Sequence, residues 1–106
     1  MNTQIPASPK DRVKTRRPGG VGGPSLQGDK YHEMRRAILQ ALAGRSHGIE
    51  SRQLHQTVKP LLSESVYGPD CLTSWYCVQV VLDLEARGHI RRVGDSDERF
   101  VRVGDA

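Results

Sequence analysis

The sequence predicts a small α+β domain, three helices closed by a C-terminal β-hairpin, carried behind a basic and disordered N-terminal tail. Three observations lead there. Apolar residues recur every three or four positions in three segments between Asp29 and Gly88, the spacing of helices with one buried face. After Gly88 the period changes to two, in HIRRV and ERFVRV on either side of GDSD, as in paired strands joined by a tight turn. Gly and Pro crowd residues 1–28, where apolar bulk is scarce, and such a segment cannot offset its ordering entropy by burial.

The elements follow in order. Asp29 is placed to cap a first helix whose apolar side is Tyr31, Met34, Ile38, Ala41 and Leu42, with Gly44 as its stop. SHGIE reads as a short extended piece. Ser51 is placed to cap a second helix with Leu54, Val58 and Leu61 on one face, which Pro60 shortens. Gly68-Pro69 punctuates the connection that follows. A third helix starts at Thr73 or Ser74 and ends at Gly88, and the hairpin completes the domain. Helix, short strand, helix, helix and hairpin is the order of a winged helix, so residues 29–106 are expected to form that domain and residues 1–28 the tail.

Charge divides at the same boundary. Residues 1–28 hold Lys10, Arg12, Lys14, Arg16 and Arg17 against Asp11 alone, whereas residues 29–106 hold 11 basic and 11 acidic side chains. The formal net charge of +4 thus resides in the tail, which reads as a basic arm able to attract phosphates without reading sequence. No apolar run reaches the roughly 18 residues of a membrane span, and the N-terminus lacks the apolar stretch of a secretory signal, so a cytoplasmic protein is expected. Cys71 and Cys77 are too few for a disulfide scaffold and are not at zinc spacing. The four histidines are scattered, and Gly19 to Gly23 is neither preceded by a strand nor followed by Lys-Ser/Thr. No catalytic residue, metal or cofactor is expected.

Leu84 to Val103 resembles the recognition helix and wing of winged helix-turn-helix regulators of the multiple-antibiotic-resistance type. Leu84, Glu85 and Gly88 match the Leu-Glu-x-x-Gly helix ending of that family, and Asp95, Asp97 and Arg99 its Asp-rich turn and wing arginine. The resemblance implies a DNA-binding fold with Arg99 on the wing. Pro18 to Gly88 also resembles a family of small bacterial winged-helix proteins of unknown function, on Lys30, Tyr31, Met34 and Arg35 and on the run from Trp75 and Tyr76 through Leu82-Asp83-Leu84-Glu85-Ala86-Arg87-Gly88.

On a helical wheel Cys77, Val80, Val81 and Leu84 form the core stripe of the third helix. Trp75, Val78 and Leu82 form a second apolar sector, which suits a protein interface or a homodimer contact, while Trp75 could instead close the bottom of the core or stack on a nucleobase. Opposite the core Gln79 is a conventional base reader, while Asp83 would repel phosphate; Ser74, at the helix start, can meet a phosphate. Arg91, Arg92, Arg99 and Arg102 on the hairpin, with Lys14, Arg16 and Arg17 in the tail, are the expected backbone contacts. Two functions therefore stand side by side: a winged-helix protein binding double-stranded DNA, regulatory or DNA-associated, and a winged helix serving as a protein-interaction or dimerisation module.

Overall fold

A computed structural model describes residues 11–68 and 71–104. The chain forms a mixed α+β fold of three helices and two small antiparallel sheets. Strands β1 (Arg12–Arg16) and β2 (Gly22–Gln27) form the first sheet. Helices α1 (Gly28–Leu42), α2 (Ser51–Val58) and α3 (Thr73–Ala86) build the body. Strands β3 (Ile49–Glu50), β4 (Ile90–Val93) and β5 (Arg99–Arg102) form the second sheet in the order β3-β5-β4, all neighbours antiparallel.

The disordered tail expected over residues 1–28 is corrected between Arg12 and Gln27; residues 1–10 lie outside the described residues. RVKTR alternates as a strand should, with Thr15 buried and Val13 half-buried while Arg12, Lys14 and Arg16 face solvent. Gly19 and Gly20, both at φ near +90°, turn the chain between the strands, and Arg17 N–H donates to Val21 O at 2.8 Å. At Gly23 an added Cβ would lie 2.5 Å from Thr15 Oγ1, so this glycine serves close packing. Leu26 belongs to the main core that also holds Tyr31 and Met34. The segment is poor in apolar residues, but its few buried ones use the helices as the other half of their core. Both strands lie against α3, so the expected boundary at residue 28 separates no independent unit.

Helix α1 buries Tyr31, Met34, Ala37, Ile38, Ala41 and Leu42, the stripe its periodicity demands plus Ala37. It starts two residues earlier than expected: Gln27 holds the cap position, and Asp29 lies in the first turn accepting the Lys30 N–H at 2.8 Å. Glu50, not Ser51, stands at the cap position of α2, which buries Leu54 and Val58 and passes at Pro60 into a single tight turn over Lys59–Leu61. Pro69 lies outside the described residues. Helix α3 buries Cys77, Val80, Val81 and Leu84 as expected, and Gly88 at φ +82° follows its end. Gly48, at φ +75°, lets the chain pass the sheet: an added Cβ would lie 2.2 Å from Phe100 O.

The sharpest departure is Asp83. Its position on the wheel opposite the core predicts exposure, yet it is fully buried. Its carboxylate accepts the backbone N–H of Arg16 at 2.8 Å, the Tyr31 hydroxyl at 2.5 Å and the Arg87 Nε at 2.9 and 3.0 Å. A buried carboxylate is tolerable only with such a set of donors. Here the donors come from β1, α1 and the end of α3, so one side chain ties the first sheet to the helices.

Two outcomes follow. Leu26→Ala should lower unfolding free energy by about 2–5 kcal/mol, the usual cost of emptying a core leucine site, whereas the same change in an unfolded tail would leave a urea melt unmoved. Stability should also fall in alkali. Burial, then the hydrogen bond and charge of Asp83, push the Tyr31 phenol from 10.0 up to about 12, and burial pushes the Cys77 thiol from 9.0 up to about 12. Above these ordinary values the unfolded chain releases protons that the folded chain keeps. Stability is therefore complete below about pH 9 and declines toward pH 12, by up to ~1.4 kcal/mol per group per pH unit. Urea melts across that range should show a shallower decline in Tyr31→Phe.

Candidate interaction surfaces

Helix α3 presents a solvent-facing strip made of Ser74, Trp75, Val78, Leu82 and Glu85. Trp75 is 44% exposed and Val78 54% exposed, while Leu82 is half-buried. Edge-on ring contacts at 5.1 Å to Tyr76, and from Tyr76 to Tyr67 at 5.4 Å, fix the indole at the helix start. Beside the strip, α2, α3 and the β4–β5 pair enclose a groove of about 220 Å³ floored by Leu54, Cys77, Val78, Val81, Leu82 and Phe100. Ser74 lines its edge without any charged neighbour on its own helix turn. His55 Nε2 lies 2.8 Å from Thr73 Oγ1, joining α2 to the start of α3. Burial, and then the charge of Lys59, lower the His55 pKa and favour the neutral ring.

Arg92 spans the far end of the groove. It bonds Glu85 at 2.9 and 3.2 Å and Glu98 through Nη1, and its guanidinium lies 4.9 Å from the centre of the Phe100 ring. These carboxylates raise its pKa, the Glu85 hydrogen bond most. Arg92 is thus engaged by two acids, not displayed to a phosphate. Beyond it the groove meets a patch lined by Glu50, Asp95, Asp97 and Glu98, with Arg52 as the one base. The two depressions share Ser51 and Glu98.

Gln79 does not face outward. It is 8% exposed, and its Oε1 accepts from Arg17 Nη2 at 2.7 Å, so the first sheet covers the expected base reader. Asp83, likewise, is sealed under β1 and repels nothing in solvent. Both corrections have one cause: the first sheet occupies the side of α3 that the wheel left open.

The remaining expected phosphate contacts divide between two other grooves. Lys14, Arg16 and Arg17 meet Arg87 around the glycine turn and the end of α3, in a cleft of about 540 Å³ that no carboxylate lines. Arg17 and Arg87 are partly engaged, by Gln79 and Asp83, while Lys14 and Arg16 are exposed. Arg91, Arg99 and Arg102 lie instead on a groove of about 400 Å³ together with Arg45 and His47. These last two residues carry no motif. Only the antiparallel pairing of β5 with β3, which brings the chain around residue 49 beside residue 100, reveals them. The hairpin reading thus finds three of the four arginines, and the fourth arrives from the loop before β3.

Among the described residues no group of His, Cys, Asp and Glu is arranged to hold a metal ion, and no helix is long and apolar enough to cross a membrane. Burial, with no charged neighbour contributing, sets the Cys77 thiol, which is a core side chain.

Comparison with known proteins matches a family described as of unknown function, DUF6958, over residues 12–100. No curated protein and no solved structure matches the chain. The matched span begins at Arg12, the first residue of β1, and ends at Phe100 within β5, so the first sheet lies inside the shared unit. The chain belongs to the DUF6958 family.

Proposed function

We propose that this protein is a winged-helix interaction module that uses α3 to dock a protein segment with an apolar face and a basic end. The element order, and the β3-β5-β4 sheet beside α3, support the winged-helix reading. The observation that carries the function is the outward strip of α3, which offers Ser74, Trp75, Val78, Leu82 and Glu85 and no cation. The bidentate contacts of a helix reading base edges come from Arg, Lys, Asn or Gln; here the Gln is covered by the first sheet and Ser74 alone is left on the strip.

What the strip offers is apolar area. Trp75 is 44% and Val78 54% exposed, and burying such apolar surface contributes roughly 25 cal/mol per Å² before association costs. The acidic patch at the end of the groove supplies direction. A segment with two or three apolar side chains for the groove and lysine or arginine at one end matches both features, as amphipathic helices match hydrophobic grooves.

Trp75 is the only tryptophan and reports directly. Adding a Leu/Lys amphipathic helical peptide should shift its emission to the blue with saturation. Val78→Glu should weaken that binding at least tenfold, and a Leu/Glu peptide of the same pattern should bind far less tightly. An unchanged emission, or equal binding by Val78→Glu, would remove the reading. A blue shift that grows with protein concentration alone would instead identify a second copy as the occupant.

A second reading, nucleic-acid binding through the phosphate backbone, is favoured by the cleft that Lys14, Arg16, Arg17 and Arg87 line without a carboxylate. Four cations around one depression attract phosphate without reading sequence. Binding to a random-sequence duplex should then have a log–log salt slope of about −2 to −3, and Lys14→Gln with Arg16→Gln should make it shallower by about 1–2. Absence of binding at low salt, or an unchanged slope in the double variant, excludes this cleft as the contact.

A further inference from the structure

The outer face of the second sheet holds an arrangement that neither reading uses. Along β4 and β5 alternate residues point to opposite sides: Ile90 and Phe100 enter the core, whereas Arg91, Val93, Arg99 and Val101 face away from it. The loop after α1 forms the opposite wall and contributes Arg45, and Arg102 closes the edge, its Nη1 donating to Leu39 O at 3.2 Å. Three guanidinium groups from two separate parts of the chain, those of Arg45, Arg91 and Arg99, therefore border one concavity of about 400 Å³, with Val93 and Val101 as apolar floor and no carboxylate in the lining.

Like charges gathered around a depression repel one another, and the local ion pairs relieve little of this. Arg45, Arg91 and Arg102 form no ion pair among the described residues. Arg99 is held at 3.0 Å by Asp97 through Nη1, but its Nε is buried and has no hydrogen-bond partner among the described residues. A buried donor of a charged group without an acceptor is costly. An anion in the groove accepts from the accessible guanidinium N–H groups and screens the clustered charges at once. Guanidinium forks match phosphate oxygens in pairs, and the volume is that of a small-molecule site, not of a duplex.

We propose that this groove binds a phosphate-bearing ligand with a compact apolar body, of the size of a nucleotide, its phosphate on Arg45, Arg91 and Arg99 and its body on Val93 and Val101. The groove shares no residue with the α3 groove, so this inference stands apart from the docking function. The same phosphate chemistry is available from a free nucleotide or from a nucleic-acid backbone, and the test separates them.

Amide NMR titrations of the full chain with inorganic pyrophosphate, ADP and a short DNA duplex provide it, using the wild type, Arg91→Gln, Arg99→Gln and Lys14→Gln. Pyrophosphate and ADP should shift the amides of residues 44–48, 91–93 and 99–102. ADP should bind more tightly than pyrophosphate, Arg91→Gln and Arg99→Gln should each weaken both about tenfold, and Lys14→Gln should change neither. Arg91 is exposed and free of ion pairs, so Arg91→Gln should melt as the wild type does and decides the matter even if Arg99→Gln unfolds. Shifts at these amides with the duplex alone, lost in Arg91→Gln, would keep the phosphate site and assign its source to nucleic acid. Shifts confined to residues 14–22, no shifts with any of the three probes, or affinities unchanged in Arg91→Gln would overturn it.

Discussion

The carboxylate of Asp83 is the constraint around which the molecule is organised. A fully buried charge must be met by donors, and its donors are a strand backbone N–H, a helix hydroxyl and an arginine one turn along. Each comes from a place that hydrophobic burial alone would leave loosely determined. Because Arg16 supplies the strand donor, the register of the first sheet on α3 is set by a polar contact, and Leu26 and Thr15 fall into place around it. Nonspecific burial brings the strands to the helix; the carboxylate decides where they stop.

That placement determines which surfaces remain. Covering Gln79 and Asp83 takes from α3 its polar side and leaves exposed only the strip around Trp75 and Val78. One group of cations, meanwhile, lies around the glycine turn and another along the second sheet, and one group of acids lies at the β4–β5 connection. Balanced net charge in residues 29–106 therefore conceals a segregated surface. A count of charges over a domain is blind to such separation, since the strands that create it join distant parts of the chain.

The helices were legible in the sequence, because three stripes at helical spacing survive any tertiary arrangement, and so was the strand period after Gly88. The first sheet was not. RVKTR carries the alternation of a strand, but three of its five residues are basic and it is followed by Pro and Gly, so the charge and turn signals mask the period of two. Its burial depends on a surface of α3 some 60 residues away, which no local window contains. The same blindness misplaced Gln79 and Asp83: a wheel built on one helix shows a polar side, and only the covering strand shows that the side is interior. For the site, Trp75 and Val78 were found because large apolar residues off the core stripe are conspicuous, whereas Arg45 was missed because its groove exists only through the β3–β5 pairing.

The alternation along β5 makes the register of that strand against β3 and β4 decisive. Phe100 closes the core and the α3 groove, while Arg99 and Val101 face the arginine groove, so one strand is a wall common to both. A slip of β5 by a single residue against its neighbours would turn the strand over, setting a guanidinium into the apolar side and a phenyl ring among the arginines. The connection from Gly94 to Glu98 is exposed at four of its five positions and is open to changes of composition and length, provided that the pairing keeps its register. Changes that let β5 slip by one residue should be lost together with both surfaces.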